Sequence, residues 1–181
     1  MTTHVAFLRG INVGGHKRVS MAEFRAFLET LGLKNVKTIL VSGNAVFSSG
    51  GQSGDRLERL LEEEAGRRLG LETHFFVRDA GELADAVSKN PFPKEAERDP
   101  ARLVVVFLKS APTPSAVKAL QAAIVGRETV RAAGRQAYIV YPDGQGTSRL
   151  TIDVIERHLG TRGTARNWNT VQKLAAALSS S

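Results

Sequence analysis

Residues 4–48 read HVAFLRGINVGGHKRVSMAEFRAFLETLGLKNVKTILVSGNAVFS, and the order of patterns within them decides the fold. The stretch from His4 to Ile11 predicts a buried strand, and a glycine loop follows from Asn12 to Arg18. Ser20 then opens a helix with Glu23 three residues on, so that side chain and backbone at the two positions satisfy each other's donors. Met21, Phe24, Phe27, Leu28 and Leu31 recur at helical spacing, and Gly32 supplies a left-handed stop. Val36 to Val41 and Asn44 to Ser48 predict two short strands about Gly43-Asn44, a dipeptide suited to a two-residue hairpin turn.

Outward from this stretch the pattern completes itself. A second helix is predicted from Ser53 to Leu69, with Leu57, Leu60, Leu61, Ala65 and Leu69 on one face, and Glu72 to Arg78 reads as a fourth strand. The order β-α-β-β-α-β is the signature of a ferredoxin-like sandwich. Asp79 with Glu82 caps a connecting helix that stops at Asn90-Pro91. The next segment, with Pro91, Pro93, Pro100 and five charges, reads as a boundary. After it come a strand (Arg102 to Lys109), a helix (Pro114 to Val125) and a hairpin across Gly134 (Thr129 to Ala132, Gln136 to Tyr141). Helices at about Ser148 to Leu159 and Thr170 to Leu178 close the chain. The expected class is α+β, with residues 1–90 a ferredoxin-like unit and its connecting helix, 91–101 a linker, and 102–181 a second ferredoxin-like unit or a closely docked variant of one.

Composition narrows the function. Of 181 residues 42% are apolar and 24% charged, enough for a real core. The longest apolar run, Leu103 to Leu108, is six residues, where a spanning helix needs about twenty. No membrane partner is therefore expected, and the strand-like start without a charged and then apolar leader predicts a cytoplasmic protein. The absence of cysteine excludes disulfides, thiolate nucleophiles, iron–sulfur clusters and cysteine zinc sites. The net charge of +7 is uneven: residues 1–90 hold 12 basic and 11 acidic side chains, residues 91–181 hold 13 and 7. A basic half suits a phosphate-bearing partner, but no block of five or six like charges marks a nucleic-acid tail.

Three entries to helices bring a basic residue together with glycine or asparagine. In the first, Arg9, Asn12, Gly14, Gly15 and Lys17 surround a strand–loop–helix junction, where converging N–H groups make an anion cradle. It is not a P-loop, because Gly15 is followed by His16-Lys17-Arg18 and not by Lys-Ser or Lys-Thr. The second, Thr164 to Thr170, holds Arg166, Asn167, Trp168 and Asn169; one asparagine suffices as a cap, so the arginine and the other asparagine exceed what capping needs. The third, Gly144 to Arg149, offers Ser148 as the cap of the following helix.

Four segments in order, Leu8 to Gly15, Ser42 to Phe47, Asn90-Pro91-Phe92 and Arg166 to Thr170, resemble the motifs of a widespread bacterial family known only as domain of unknown function 1697. The resemblance runs from about Val5 to Leu178 and implies a compact pair of ferredoxin-like units. It implies no established activity, substrate or cofactor.

Other chemistries lack support. Val41-Ser42-Gly43-Asn44 is not a nucleophile elbow, and Ser42 reads as the first corner of a hairpin. His4, His16, His74 and His158 show no metal spacing, although pairing of the first and fourth strands would make His4 and His74 neighbours. Glu62-Glu63-Glu64 reads as a solvated face with Arg67 and Arg68 at helical spacing for ion pairs. Base stacking on the sheet, the habit of RNA-recognition modules, has only Phe7 and Phe47 to use. The expected function is therefore binding of a phosphate- or carboxylate-bearing ligand, such as a nucleotide or nucleic acid, without a cofactor or metal. Its candidate ligands are Arg9, Asn12, Gly14, Gly15, Lys17, Ser42, Asn44, Ser148, Arg166, Asn167 and Asn169. An enzyme acting on a small polar substrate in the same pocket, and a structural or interaction module whose polar groups rivet loops together, are the competing classes.

Overall fold

The computed structural model describes residues 1–9, 19–39 and 43–179. The chain divides into two compact units, Met1–Ala84 with Leu174–Ser181, and Asp85–Lys173. In the first, β1 (Thr2–Leu8), α1 (Met21–Thr30), β2 (Lys34–Ile39), β3 (Asn44–Ser49), α2 (Gly54–Leu69) and β4 (Phe75–Asp79) follow one another. Their strands form an antiparallel sheet in the order β2-β3-β1-β4. The second unit repeats the plan with β5 (Leu103–Leu108), α5 (Pro114–Ala123), β6 (Thr129–Ala133), β7 (Gln136–Val140), α6 (Ile152–Leu159) and β8 (Gly163–Asn167), in the order β6-β7-β5-β8. In the chain, α3 (Ala80–Ser88), α4 (Pro93–Arg98) and a 3-10 turn at Pro100–Arg102 connect β4 to β5, and α7 (Trp168–Ser179) follows β8. This is α+β architecture with two ferredoxin-like units. No described helix is long and apolar enough to cross a membrane.

Each sheet buries one face under its two helices. In the first unit Ala6, Leu8, Ala45, Phe47, Phe75 and Val77 meet Phe24, Phe27, Leu28, Leu57 and Leu61. In the second, Val104, Val106, Leu108, Ala137 and Ile139 meet Leu120, Ile155 and Leu159. Local chemistry starts the helices where the sequence indicates. Ser20 and Glu23 make both arms of a capping box on α1, and Asp79 and Glu82 do the same at the start of α3, with bonds of 2.8 and 3.1 Å. The second hairpin also follows its sequence: Ala133 pairs with Gln136, leaving a two-residue turn whose Gly134 sits at φ 61°.

Five expectations are corrected. Residues 163–167 form strand β8, because Gly163 gives up its side chain to let Val106 and Leu108 close in, and the strand therefore lacks an apolar alternation. Helix α6 starts at Ile152 with Thr151 as its cap, so Ser148 caps nothing there. Helix α7 starts at Trp168, two residues before the predicted Thr170. In the first hairpin Asn44 opens β3 as predicted but pairs with Ile39, so Gly43-Asn44 is not a two-residue turn; Ser42, predicted as its corner, lies outside the described residues. Finally, β1 and β4 run antiparallel, which sets His4 opposite Asp79 while His74 precedes β4 at the far end of the pair.

Candidate site at the end of the first sheet

The strand order dictates which chain segments meet. β1 lies between β3 and β4 and runs antiparallel to both, so its C-terminal end stands beside the starts of the other two. Three hydrogen bonds tie that end down. The Leu8 N–H donates to the Gly43 carbonyl at 2.8 Å, the Arg9 N–H donates to the His74 carbonyl at 3.1 Å, and the Thr73 hydroxyl donates to the Arg9 carbonyl. Arg9 thus has both backbone groups held, and its half-buried position is set by β4 and the residues just before it.

Asn44 belongs to the same end. It pairs with Phe7 on one side and Ile39 on the other, is fully buried, and its amide donates to the Ile39 carbonyl at 3.1 Å. The structure therefore brings Arg9 and Asn44 to one end of one sheet, two strand positions apart. Gly10 continues directly from Arg9 into the glycine-rich stretch. The candidates Asn12, Gly14, Gly15 and Lys17 lie, with Ser42, outside the described residues.

The carboxylates nearby are already engaged. Edge strand β4 presents alternate N–H groups outward, and two glutamates one turn apart on α2 accept them. Glu62 takes the Phe75 N–H and Glu58 the Val77 N–H, each at 2.8 Å. Glu62 also lies 3.7 Å from His74 Nδ1, and Glu58 lies 3.7 Å from the buried Arg78 guanidinium. The reading of Glu62 to Glu64 as a purely solvated face is corrected here. Glu64 does bind Arg67 and Arg68 on the surface, with its carboxyl held below the usual range by those two hydrogen bonds, but Glu62 closes a sheet edge. The signal was present in the spacing, since Glu58 and Glu62 flank the apolar face of α2 at helical intervals.

The second unit's candidates divide differently. Arg166 is buried at 8% exposure, and its Nη1 donates to the Thr164 hydroxyl at 2.7 Å and to the Ala165 carbonyl at 2.8 Å. Burial lowers its pKa to about 10, which leaves it charged at neutral pH. Asn167 caps α7 by accepting the Thr170 N–H at 3.0 Å, and Asn169 stands exposed in the first turn. Ser148 instead donates to Glu128 at 2.5 Å and accepts the Leu150 N–H at 3.0 Å. Glu128 precedes β6 while Arg166 lies on β8; these are opposite edges of a four-stranded sheet, about 14 Å apart at the usual strand spacing. Ser148 and Arg166 do not share a site.

Base stacking on a sheet face finds no platform among the described residues. Phe47 points into the helix-covered core, and Phe7 and Phe76 on the opposite face are fully buried. No group of three or more histidine, aspartate and glutamate side chains among the described residues is placed to hold a metal ion.

A solved structure, that of the conserved bacterial protein SP0830 from Streptococcus pneumoniae, is similar over 98% of both chains with a TM-score of 0.77 and 24% identity. At that identity the likeness shows the fold. No curated protein matches the chain. A family model does match, over residues 1–138, and with three quarters of its length covered the chain belongs to the family described as Protein of unknown function (DUF1697).

Proposed function

We propose that the first unit binds a phosphate- or carboxylate-bearing ligand, such as a nucleotide or nucleic acid, at the end of its sheet where Arg9 and Asn44 lie. The observation that carries this reading is the double anchoring of the Arg9 backbone, through the His74 carbonyl and the Thr73 hydroxyl, at the point where a glycine-rich stretch begins. The anchored backbone fixes where the Arg9 side chain starts, and a guanidinium makes charge-assisted bonds to oxyanions. Asn12, Gly14, Gly15, Lys17 and Ser42 belong to the proposal as donors contributed by the flanking chain, with Asn44 fixing the neighbouring strand. Two carboxylates near this end, Glu58 and Glu62, are turned to the β4 edge and oppose the ligand less than free ones would.

The test is thermal stabilisation by a panel of nucleotides and phosphorylated metabolites. Wild type should gain stability with at least one of them, and Arg9→Ala should keep its unliganded melting temperature while losing that gain. No shift across the whole panel contradicts the proposal. For nucleic acid, affinity should fall steeply between low and physiological salt, and a flat response excludes that ligand class.

A further inference from the structure

The second unit carries a cleft of 260 Å³ between the end of α5 and α6. Its floor is Ile124, Leu150 and Val154, which pack onto the core of this unit. Val125 stands beside them at 73% exposure, and apart from Met1 it is the one large apolar residue left open to water among the described residues. Two arginines, Arg149 and Arg157, line the same cleft, and neither guanidinium has a hydrogen-bond or ion-pair partner among the described residues. Neighbouring arginines do find partners: Arg127 binds Asp143 and Arg102 lies 3.5 Å from Asp99.

The cleft's two other polar side chains each make a hydrogen bond. Glu128 accepts the Ser148 hydroxyl, and His158 Nδ1 lies 3.0 Å from the Val154 carbonyl. A carbonyl only accepts, so Nδ1 carries the proton and the ring is fixed by its own helix. Beside them lies an apolar floor with two guanidinium groups that are unpaired among the described residues. We infer that this cleft binds a small carboxylate with a short aliphatic body, its acid head between Arg149 and Arg157 and its chain over Ile124, Leu150 and Val154. The volume sits just below the roughly 300–1,000 Å³ of drug-sized sites, which suits a short chain and excludes a folded peptide segment. The two guanidinium groups outnumber the one carboxylate in the lining, Glu128, so the cleft favours an anion over an amine of the same length. The inference does not rest on the ligand proposed for the first unit, and either can fail without the other.

Hexanoate and hexylamine serve as probes, titrated into the ¹⁵N-labelled full chain. Hexanoate should give saturable amide shifts at Val125, Leu150, Val154 and His158, and hexylamine none. The Arg149→Glu/Arg157→Glu variant changes two exposed side chains and should weaken hexanoate at least tenfold. Val125→Asp, also at an exposed position, should weaken it similarly and stands in should the double variant fail to fold. Absence of saturable shifts with hexanoate, equal binding of hexylamine, or full affinity in a folded variant overturns the inference.

Discussion

Arg78 and Arg166 occupy the same place in the two units. Each is the fourth residue of its unit's last strand and faces a valine of the first strand, Val5 or Val105. Each donates from Nη1 to the carbonyl of the residue before it, and each precedes an Asx residue that caps the next helix. Beyond that the units differ. Arg78 faces the Glu58 carboxylate at 3.7 Å, whereas Arg166 donates to the Thr164 hydroxyl.

Truncating Arg166 leaves the buried Thr164 hydroxyl and the half-buried Ala165 carbonyl without this donor. Arg166→Ala should cost about 2–4 kcal/mol in urea unfolding, from lost hydrogen bonds and lost packing together. Arg166→Met, which keeps the stem, should cost less.

Glu58 and Glu62 make the same kind of bond in different surroundings, and their variants should separate accordingly. Glu58 and Arg78 are both nearly inaccessible, so Glu58→Ala leaves a buried guanidinium beside a vacated carboxylate and should cost about 3–5 kcal/mol. Glu62 is half-buried, and Glu62→Ala should cost about 1 kcal/mol. Chemical denaturation of the two single variants checks the order.

His4 gives a pH dependence. Its ring is buried, stacks on Phe47 at 5.8 Å, and lies 3.4 Å from the Ser49 hydroxyl. Burial holds its pKa below 6.5, against the opposing pull of Asp79, the Thr2 backbone and Glu82. The folded value is thus the lower one, and between it and 6.5 the unfolded chain binds more protons. Stability from this group is complete above 6.5 and declines as pH falls toward the folded value. Denaturation midpoints measured from pH 7.5 to pH 5 should therefore fall less steeply in His4→Gln than in wild type.

Much of the fold is legible in the sequence because local and global signals agree. The caps at Ser20 and Asp79, the helical faces of α1 and α2, and the Gly134 turn each have a mechanism within a few residues. Strand β8 is illegible for the opposite reason. A β-carbon on Gly163 would lie 2.7 Å from Val106, and Thr164 and Arg166 are buried by partners far apart in sequence. Ser148 misleads because its hydroxyl is drawn to Glu128, twenty residues away, while Thr151 caps α6. At the candidate site, Arg9 and Asn44 announce themselves by type, but Thr73 and His74 enter only through antiparallel pairing of β1 with β4.

The most direct measurement is a titration of ¹⁵N-labelled protein with inorganic phosphate and then ADP, following the Arg9 Nε–H and Asn44 Nδ2–H₂ signals. Saturable shifts are expected at both side chains, with neighbouring amides at Gly43 and His74 moving in step. Signals at Arg9 and Asn44 that stay fixed while either anion reaches millimolar concentration would contradict the proposed site.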